Sequence, residues 1–321
     1  MSVCYANAIV PSAKIAIIGA GFVGSTIAYT MMIEGVASEI ALIDIDKEKA
    51  IGEAYDLRHC MQFTRSVSVE AGDSFELVKG ASIVVVCAGF AQNVGEPRVS
   101  LLNENVKIFK SVIPQIVKYN QDCILLIVTN PLDVLTYVTL KLSGMPACRV
   151  FGTGTVLDTS RLRYLIGQYL KISPKDITAY VLGEHGDSEF VWWSKANIAG
   201  IPLNEFSNFT TEIRDKIYTR TRDSVYEVIK RKGATYYAVS AAVSKLARAI
   251  IQGQSRIFTL STLIEEEVYG IKDICISMPT IIGANGVCQK LCMELDGKEK
   301  SHFIYSANKI KESIKLISNF I

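Results

Sequence analysis

Charge of one sign is what this sequence most conspicuously lacks. Its 34 Lys and Arg nearly cancel 32 Asp and Glu, leaving a formal net charge of +2 over 321 residues. That balance offers no general attraction to nucleic acid or to an anionic membrane, and the densest basic cluster, Lys230-Arg231-Lys232, is too short to act as a binding arm. Unbroken apolar runs are also missing. The longest, residues 123–140, is interrupted by Asn130-Pro131 and Asp133, so it reads as a buried strand followed by a helix rather than a bilayer span. Residues 1–13 have neither a basic start nor an apolar core and read as a short N-terminal tail without a secretory signal. No C-x-x-C occurs among the eight cysteines. Cys60, Cys87, Cys123, Cys148 and Cys275 stand singly in apolar surroundings, while Cys288 and Cys292 have helical spacing. The expectation is reduced, mostly buried thiols, no metal site and a cytoplasmic protein.

The first half alternates short β-rich runs with helical ones: strands at 14–18, 39–43, 83–87 and 124–128, and helices at 23–34 and from residue 47. Each strand is almost wholly apolar, which implies burial on both faces and a parallel sheet. Strands separated by helices make βαβ crossovers, so the expected fold class is α/β, a doubly wound dinucleotide-binding domain. Beyond residue 150 helices dominate (160–169, 211–232 and 236–253), with strands expected at 177–182 and 274–282. This reads as a mixed α+β substrate domain, giving a division at 1–150 and 151–321. No repeat or Pro/Gly/Ser linker separates the halves, so they are expected to pack together around a cleft.

Gly19-Ala20-Gly21-Phe22-Val23-Gly24 is a G-x-G-x-x-G that follows the first strand and opens the first helix. Gly19 suits the tight turn, Gly21 the approach of a pyrophosphate, and Gly24 close helix–strand packing, with the helix N-terminus aimed at the phosphates. Asp44 follows at the end of the second strand, where an acid meets the adenosine ribose. Without the glycines it would read as a solvated strand end. A carboxylate there repels a 2′-phosphate, so NAD is expected rather than NADP.

Only three histidines are present. His59 lies in a helix-like run and His302 in a polar stretch before the last helix, and both read as structural or surface residues. His185 follows a strand and sits between Gly183 and Gly186, in a turn that projects its imidazole into a cleft. Imidazole suits proton delivery to an alkoxide at neutral pH. Asp158 and Arg161 share a helix face three residues apart. Asp158 can orient His185, and Arg161 can hold a carboxylate through paired N–H bonds. Taken alone, the Asp–Arg pair reads first as a helix cap, and without a carboxylate to orient it His185 would read as a backbone-bonded loop residue.

Together these residues resemble the lactate/malate dehydrogenase family over nearly the whole chain. GAGFVG, Asp44, VTNPLD at 128–133, VLDTSRLR at 156–163, GEHGDSE at 183–189 and KGATYY at 232–237 occur in the family's order. The resemblance implies His185 as general acid/base, Asp158 as its partner and Arg161 as the carboxylate clamp. It further implies Arg98 as a mobile-loop arginine that polarises the substrate carbonyl, Asn130 as a residue placing substrate and nicotinamide, and Thr235 as a pocket residue. Gln92 stands where malate-specific members carry Arg, so pyruvate and L-lactate are expected in preference to oxaloacetate or longer 2-keto acids. Pro97 stands where a small or hydroxylic residue is usual. Arg163 matches one residue of the family's fructose 1,6-bisphosphate site, but Thr178 replaces the His that completes it, so activation by that phosphate is not expected. A homo-oligomer, tetrameric in this branch, is implied. A binding protein that keeps the fold without activity is the alternative from another class, and the intact Asp158, Arg161 and His185 argue against it.

Overall fold

The computed structural model describes residues 13–90 and 98–317, with side chains from residue 101 in the second stretch. The chain begins with β1 (Lys14–Ile18), α1 (Phe22–Glu34), β2 (Glu39–Ile43), α2 (Lys47–His59), β3 (Ser68–Gly72) and β4 (Ala81–Val86). It continues through α3 (Arg98–Tyr119), β5 (Ile124–Ile127), α4 (Leu132–Ser143) and β6 (Val150–Gly152). These six strands pair in parallel in the order β3-β2-β1-β4-β5-β6. The order reverses between β1 and β4, and a crevice for a ligand opens beyond the carboxyl ends of strands at such a switch point.

Burial on both faces explains why these strands carry no polar alternation. Ile15, Ile17, Ile40, Leu42, Ile83 and Val85 enter one apolar cluster. Their neighbours Ala16, Ile18, Ala41, Ile43, Val84 and Val86 enter the cluster on the opposite face. Successive side chains on a strand point to opposite sides, so helices must cover both.

After β6 come α5 (Val156–Leu170), β7 (Ile177–Thr178), β8 (Val181–Leu182), β9 (Phe190–Val191), β10 (Asn197–Ile198) and β11 (Ile201–Pro202). The chain then forms α6 (Thr211–Lys232), α7 (Tyr237–Ile251), β12 (Arg256–Leu263), β13 (Cys275–Gly283), β14 (Gly286–Lys290) and α8 (Gly297–Leu316). β12 joins the edge of β6 in antiparallel fashion, and β13 and β14 follow it. The second half thereby extends the sheet of the first to nine strands among the described residues. A third cluster, centred on Leu162, Ile166, Val181 and Ile217, seats α5 and α6 against the small sheets.

Three expectations fail in detail. The strand foreseen at 177–182 is two short strands, β7 and β8, belonging to different small sheets. Its apolar spacing runs on through Ala179 and Tyr180 while the backbone changes partner. His302 lies inside α8, stacked on Phe190 at 6.1 Å, because the Asp296 and Glu299 capping box starts that helix earlier than its polar opening suggests. The thiols are not mostly buried: of seven free cysteines described, only Cys123 and Cys275 are, while Cys148, Cys288 and Cys292 are exposed. Cys288 sits on β14, so its spacing to Cys292 has no helical meaning.

Candidate active site

The first cluster of predicted residues assembles at the carboxyl ends of β1, β2 and β4. Gly19 turns there with φ +105°, and a Cβ on it would come within 2.8 Å of the Ala88 nitrogen. A Cβ on Gly24 would lie 1.8 Å from the Gly19 carbonyl oxygen, so the first turn of α1 rests directly on the loop. Gly21 differs, since a Cβ there would meet nothing within 4 Å. No side chain caps α1, and no acid occupies the first turn formed by Phe22, Val23 and Gly24. The free N–H groups and positive dipole end therefore remain available to an anion. Asp44 accepts the Ala20 N–H at 2.6 Å and the Asp46 N–H at 3.0 Å, which anchors the loop to β2. Each carboxylate oxygen keeps a lone pair for a ribose hydroxyl. Beneath the loop, burial and then the Asp44 charge push the Cys87 thiol up to about 12. It stays protonated and donates to the Ile18 and Gly19 carbonyls at 3.2 and 3.4 Å. An open glycine face, uncapped N–H groups and a strand-end carboxylate fit a dinucleotide.

The second cluster holds the acid–base residues. Asp158, in the first turn of α5, is 2% exposed. One of its oxygens meets His185 Nδ1 at 2.6 Å and the other accepts from Arg161 at 2.6 Å. His185 and Arg161 keep 23% and 16% of their side-chain surface exposed, enough for both to present an edge to a small ligand. Burial opposes ionisation of Asp158, but the His185 charge, its hydrogen bond and Arg161 outweigh this and hold the carboxyl below its usual range. Burial also opposes the imidazolium. Asp158 and then Asp133 overcome that penalty, Arg161 notwithstanding, and His185 lies above its ordinary value. The imidazole thus keeps its proton to higher pH than a free histidine, with Nε2 opposite the fixed Nδ1.

Residues not foreseen for this role fix the two partners in register. Thr155 Oγ1 donates to the Val181 carbonyl at 2.5 Å and Val181 N–H donates to Thr159 Oγ1 at 3.0 Å, tying the start of α5 to β8. The His185 loop is gripped on three sides. Gly183 bridges to Ser277 of β13, the Glu184 N–H donates to Ser306 of α8 at 2.6 Å, and the His185 N–H donates to Asp133 of α4 at 2.7 Å. Burial pushes the Asp133 carboxyl up to about 7. Its one sequence signal was an acid inside an otherwise apolar run, and Ser306 gave none. Glu189 is 3% exposed and one of its oxygens has no hydrogen-bond partner. Burial, then the nearby Asp158, raise it well above the ordinary range, with Arg161 and Arg222 countering. Ligand atoms of Asp158, His185 and Glu189 lie within 4.8 Å of one another. They do not form an open metal set, because both Asp158 oxygens are engaged and Arg161 would repel a cation.

The remaining predicted residues have contacts of their own or fall outside the described residues. Asn130, exposed at the end of β5, precedes Pro131 through a cis peptide bond, and its carbonyl accepts from the buried Asn105 at 2.7 Å. Thr235 is half-buried in the connection between α6 and α7. Arg163 donates to the Ala179 carbonyl at 2.9 Å and lies over the Tyr180 ring at 4.9 Å, while Thr178 is half-buried on β7. Gln92 and Pro97 fall outside the described residues. Arg98 opens α3, and its side chain is outside them too.

Comparison with known proteins places this architecture. Residues 13–152 match the family described as lactate/malate dehydrogenase, NAD binding domain, and residues 155–321 match its alpha/beta C-terminal domain. A curated L-lactate dehydrogenase of Acetivibrio thermocellus is 47% identical over 309 residues, covering 95% of this chain and 97% of the relative. One from Clostridium botulinum strain Hall is 48% identical, covering 94% and 96%. Among solved structures, a lactate dehydrogenase from a Medee basin deep-sea metagenome library is 40% identical with TM-score 0.92, covering 96% of this chain and 99% of that one. The minor L-lactate dehydrogenase of Enterococcus mundtii, in a ligands-bound form, is 36% identical with TM-score 0.92, covering 95% and 98%. The chain belongs to the lactate/malate dehydrogenase family. It is an NAD-dependent oxidoreductase, and the glycine loop lies within its NAD-binding domain.

Proposed function

We propose that this chain interconverts pyruvate and L-lactate, with His185 as general acid in reduction and general base in oxidation. The observation that carries the reading is Asp158, which holds both His185 and Arg161 at 2.6 Å and so fixes a proton donor beside a carboxylate clamp. Gly19, Gly21, Phe22, Val23, Gly24 and Asp44 hold the dinucleotide in residues 1–150, and residues 151–321 supply the proton donor and the carboxylate clamp. When bound there, NADH supplies the hydride for the keto carbon. Arg161 takes the substrate carboxylate through paired N–H bonds and so orients the carbonyl towards His185. His185 Nε2 gives its proton to the carbonyl oxygen as negative charge develops there, and Asp158 stabilises the imidazolium beforehand. In the reverse direction the neutral imidazole takes the hydroxyl proton. Arg161, Asp158 and protonated His185 together carry one net positive charge, which matches one carboxylate on the substrate.

On the same reading Arg98 adds positive charge at the carbonyl oxygen, and Asn130 and Thr235 place the substrate. Gln92 is the residue the resemblance assigns to substrate choice, and an uncharged amide suits a methyl group and leaves a second carboxylate without a partner. Loss of such a charge-assisted bond costs roughly 1.5–3 kcal/mol, about one to two decades of discrimination. Among the described residues no helix is long and apolar enough to cross a membrane. A cytoplasmic homotetramer without fructose 1,6-bisphosphate activation completes the proposal, supported by the resemblance and by Thr178. Light scattering should then give four times the chain mass.

The test is NADH oxidation with pyruvate, oxaloacetate and 2-ketoisocaproate, with and without fructose 1,6-bisphosphate. The highest kcat/KM is expected for pyruvate, unchanged by the phosphate. A preference for oxaloacetate would overturn the assignment of Gln92 and of lactate.

A further inference from the structure

We propose that Phe22, Tyr236 and Lys232 form an aromatic clasp that couples nucleotide binding at the glycine loop to the placement of Thr235 at the substrate. The Phe22 and Tyr236 rings stack with centroids 5.4 Å apart and planes 23° from parallel. Tyr236 also packs edge-on against Tyr237 at 4.6 Å, and the Lys232 ammonium sits 3.4 and 3.5 Å from those two ring centroids. Core packing does not account for the cluster, since Phe22 is 71% and Tyr237 67% exposed.

Its place in the chain gives it a purpose. Phe22 is the first residue of α1, so its backbone belongs to the anion-receiving turn. Lys232 is the last residue of α6 and Tyr236 immediately precedes α7, so together they bracket the connection that carries Thr235. Gly233 enters that connection at φ +85°, and no side chain caps the start of α7. Further along, α1 and α7 share one apolar cluster, and the ring contacts carry that packing out to the turn. One turn into α7, Ser240 Oγ bonds the Tyr236 carbonyl at 2.6 Å and approaches the Val23 carbonyl at 3.5 Å, a second tie between the same two elements. Stacked rings and a cation over a ring face are both favourable and geometrically selective. An anion that draws the α1 turn into position therefore carries Tyr236, and with it Thr235, into register.

The clasp rests on the assignment of Thr235 to the pocket, so the experiment separates the two. Phe22→Ala, Phe22→Leu, Tyr236→Ala, Tyr236→Phe, Thr235→Ala and the Phe22→Ala/Tyr236→Ala double variant are compared. NADH Kd is measured without substrate, and kcat and KM for pyruvate at saturating NADH. Losing the stack should raise both NADH Kd and pyruvate KM about 2- to 10-fold. In Tyr236→Ala kcat should fall less than pyruvate KM rises, because the chemical groups are untouched. Phe22→Leu, which keeps the apolar bulk without the ring, should behave like Phe22→Ala, and Tyr236→Phe should restore both constants. The double variant should be no worse than the worse single variant. Additive effects, or a pyruvate KM unmoved in Phe22→Ala while Thr235→Ala raises it, would overturn the clasp and leave the pocket assignment standing. An unmoved KM in Thr235→Ala would overturn both.

Discussion

Asp158 has two oxygens and two partners, and most of the chemistry follows from that division. Replacing it with Asn removes the charge that keeps the His185 proton in place. The alkaline limb of pyruvate reduction, which needs the imidazolium, should then move to lower pH, while the shape of the site is retained. His185→Asn removes the acid itself and should lower kcat by about 10²–10⁴-fold. Arg161→Lys keeps a positive charge but loses the paired donors. A rise in pyruvate KM is expected, with kcat/KM down roughly 10- to 100-fold, in line with a lost charged hydrogen bond. Steady-state kinetics on the three variants checks all of these. These three residues could be singled out from sequence because each carries chemistry that few residue types perform. Their contacts could not. The His185 N–H reaches an acceptor 52 positions away and the Glu184 N–H one 122 positions away. Ser306 therefore had no local pattern to mark it, and Asp133 only its place as an acid in an apolar run.

Among the elements, the junction of α5 with β8 decides whether Asp158 and His185 meet. Thr155→Val keeps the shape and removes the hydroxyl that holds the Val181 carbonyl. It should cost about 1–3 kcal/mol of stability through an unpaired buried acceptor, and it should depress kcat more than it raises KM. Thermal melts and kinetics on one variant test both parts. Gly24→Ala would drive a methyl group into the Gly19 carbonyl, so NADH binding should fail before catalysis is reached. The apolar strands β1, β2, β4 and β5 were legible because burial on both faces leaves a continuous signature. β7 and β8 were not, because a change of hydrogen-bonding partner at Ala179 and Tyr180 leaves no mark on hydropathy. The joining of β12 to β6 was equally silent, since one Ser261–Gly152 pairing makes it.

For the molecule as a whole, the buried ionisable groups set a pH preference. Asp133, raised to about 7, stays protonated in the fold while the unfolded chain ionises, so folding weakens as pH climbs from about 4 to 7. Glu189, also raised by burial, adds a loss of the same sign. His185 also lies above its ordinary value, so its contribution is full below about 6.5 and fades as pH rises through the folded value. Asp158 alone works the other way, losing its contribution only as pH falls through a value below the carboxylate range. Tm should therefore fall between pH 6 and 8, and Glu189→Gln should flatten the fall. An unchanged slope in that variant would mean that Glu189 is ionised in the fold.

The same ionisations meet catalysis in one experiment, the pH dependence of kcat for pyruvate reduction in the native chain and in Asp158→Asn. The native limb should lie above the ordinary histidine range and the variant's limb should shift down with kcat reduced. Coincident limbs would show that the proton comes from a group other than the Asp158-bound His185.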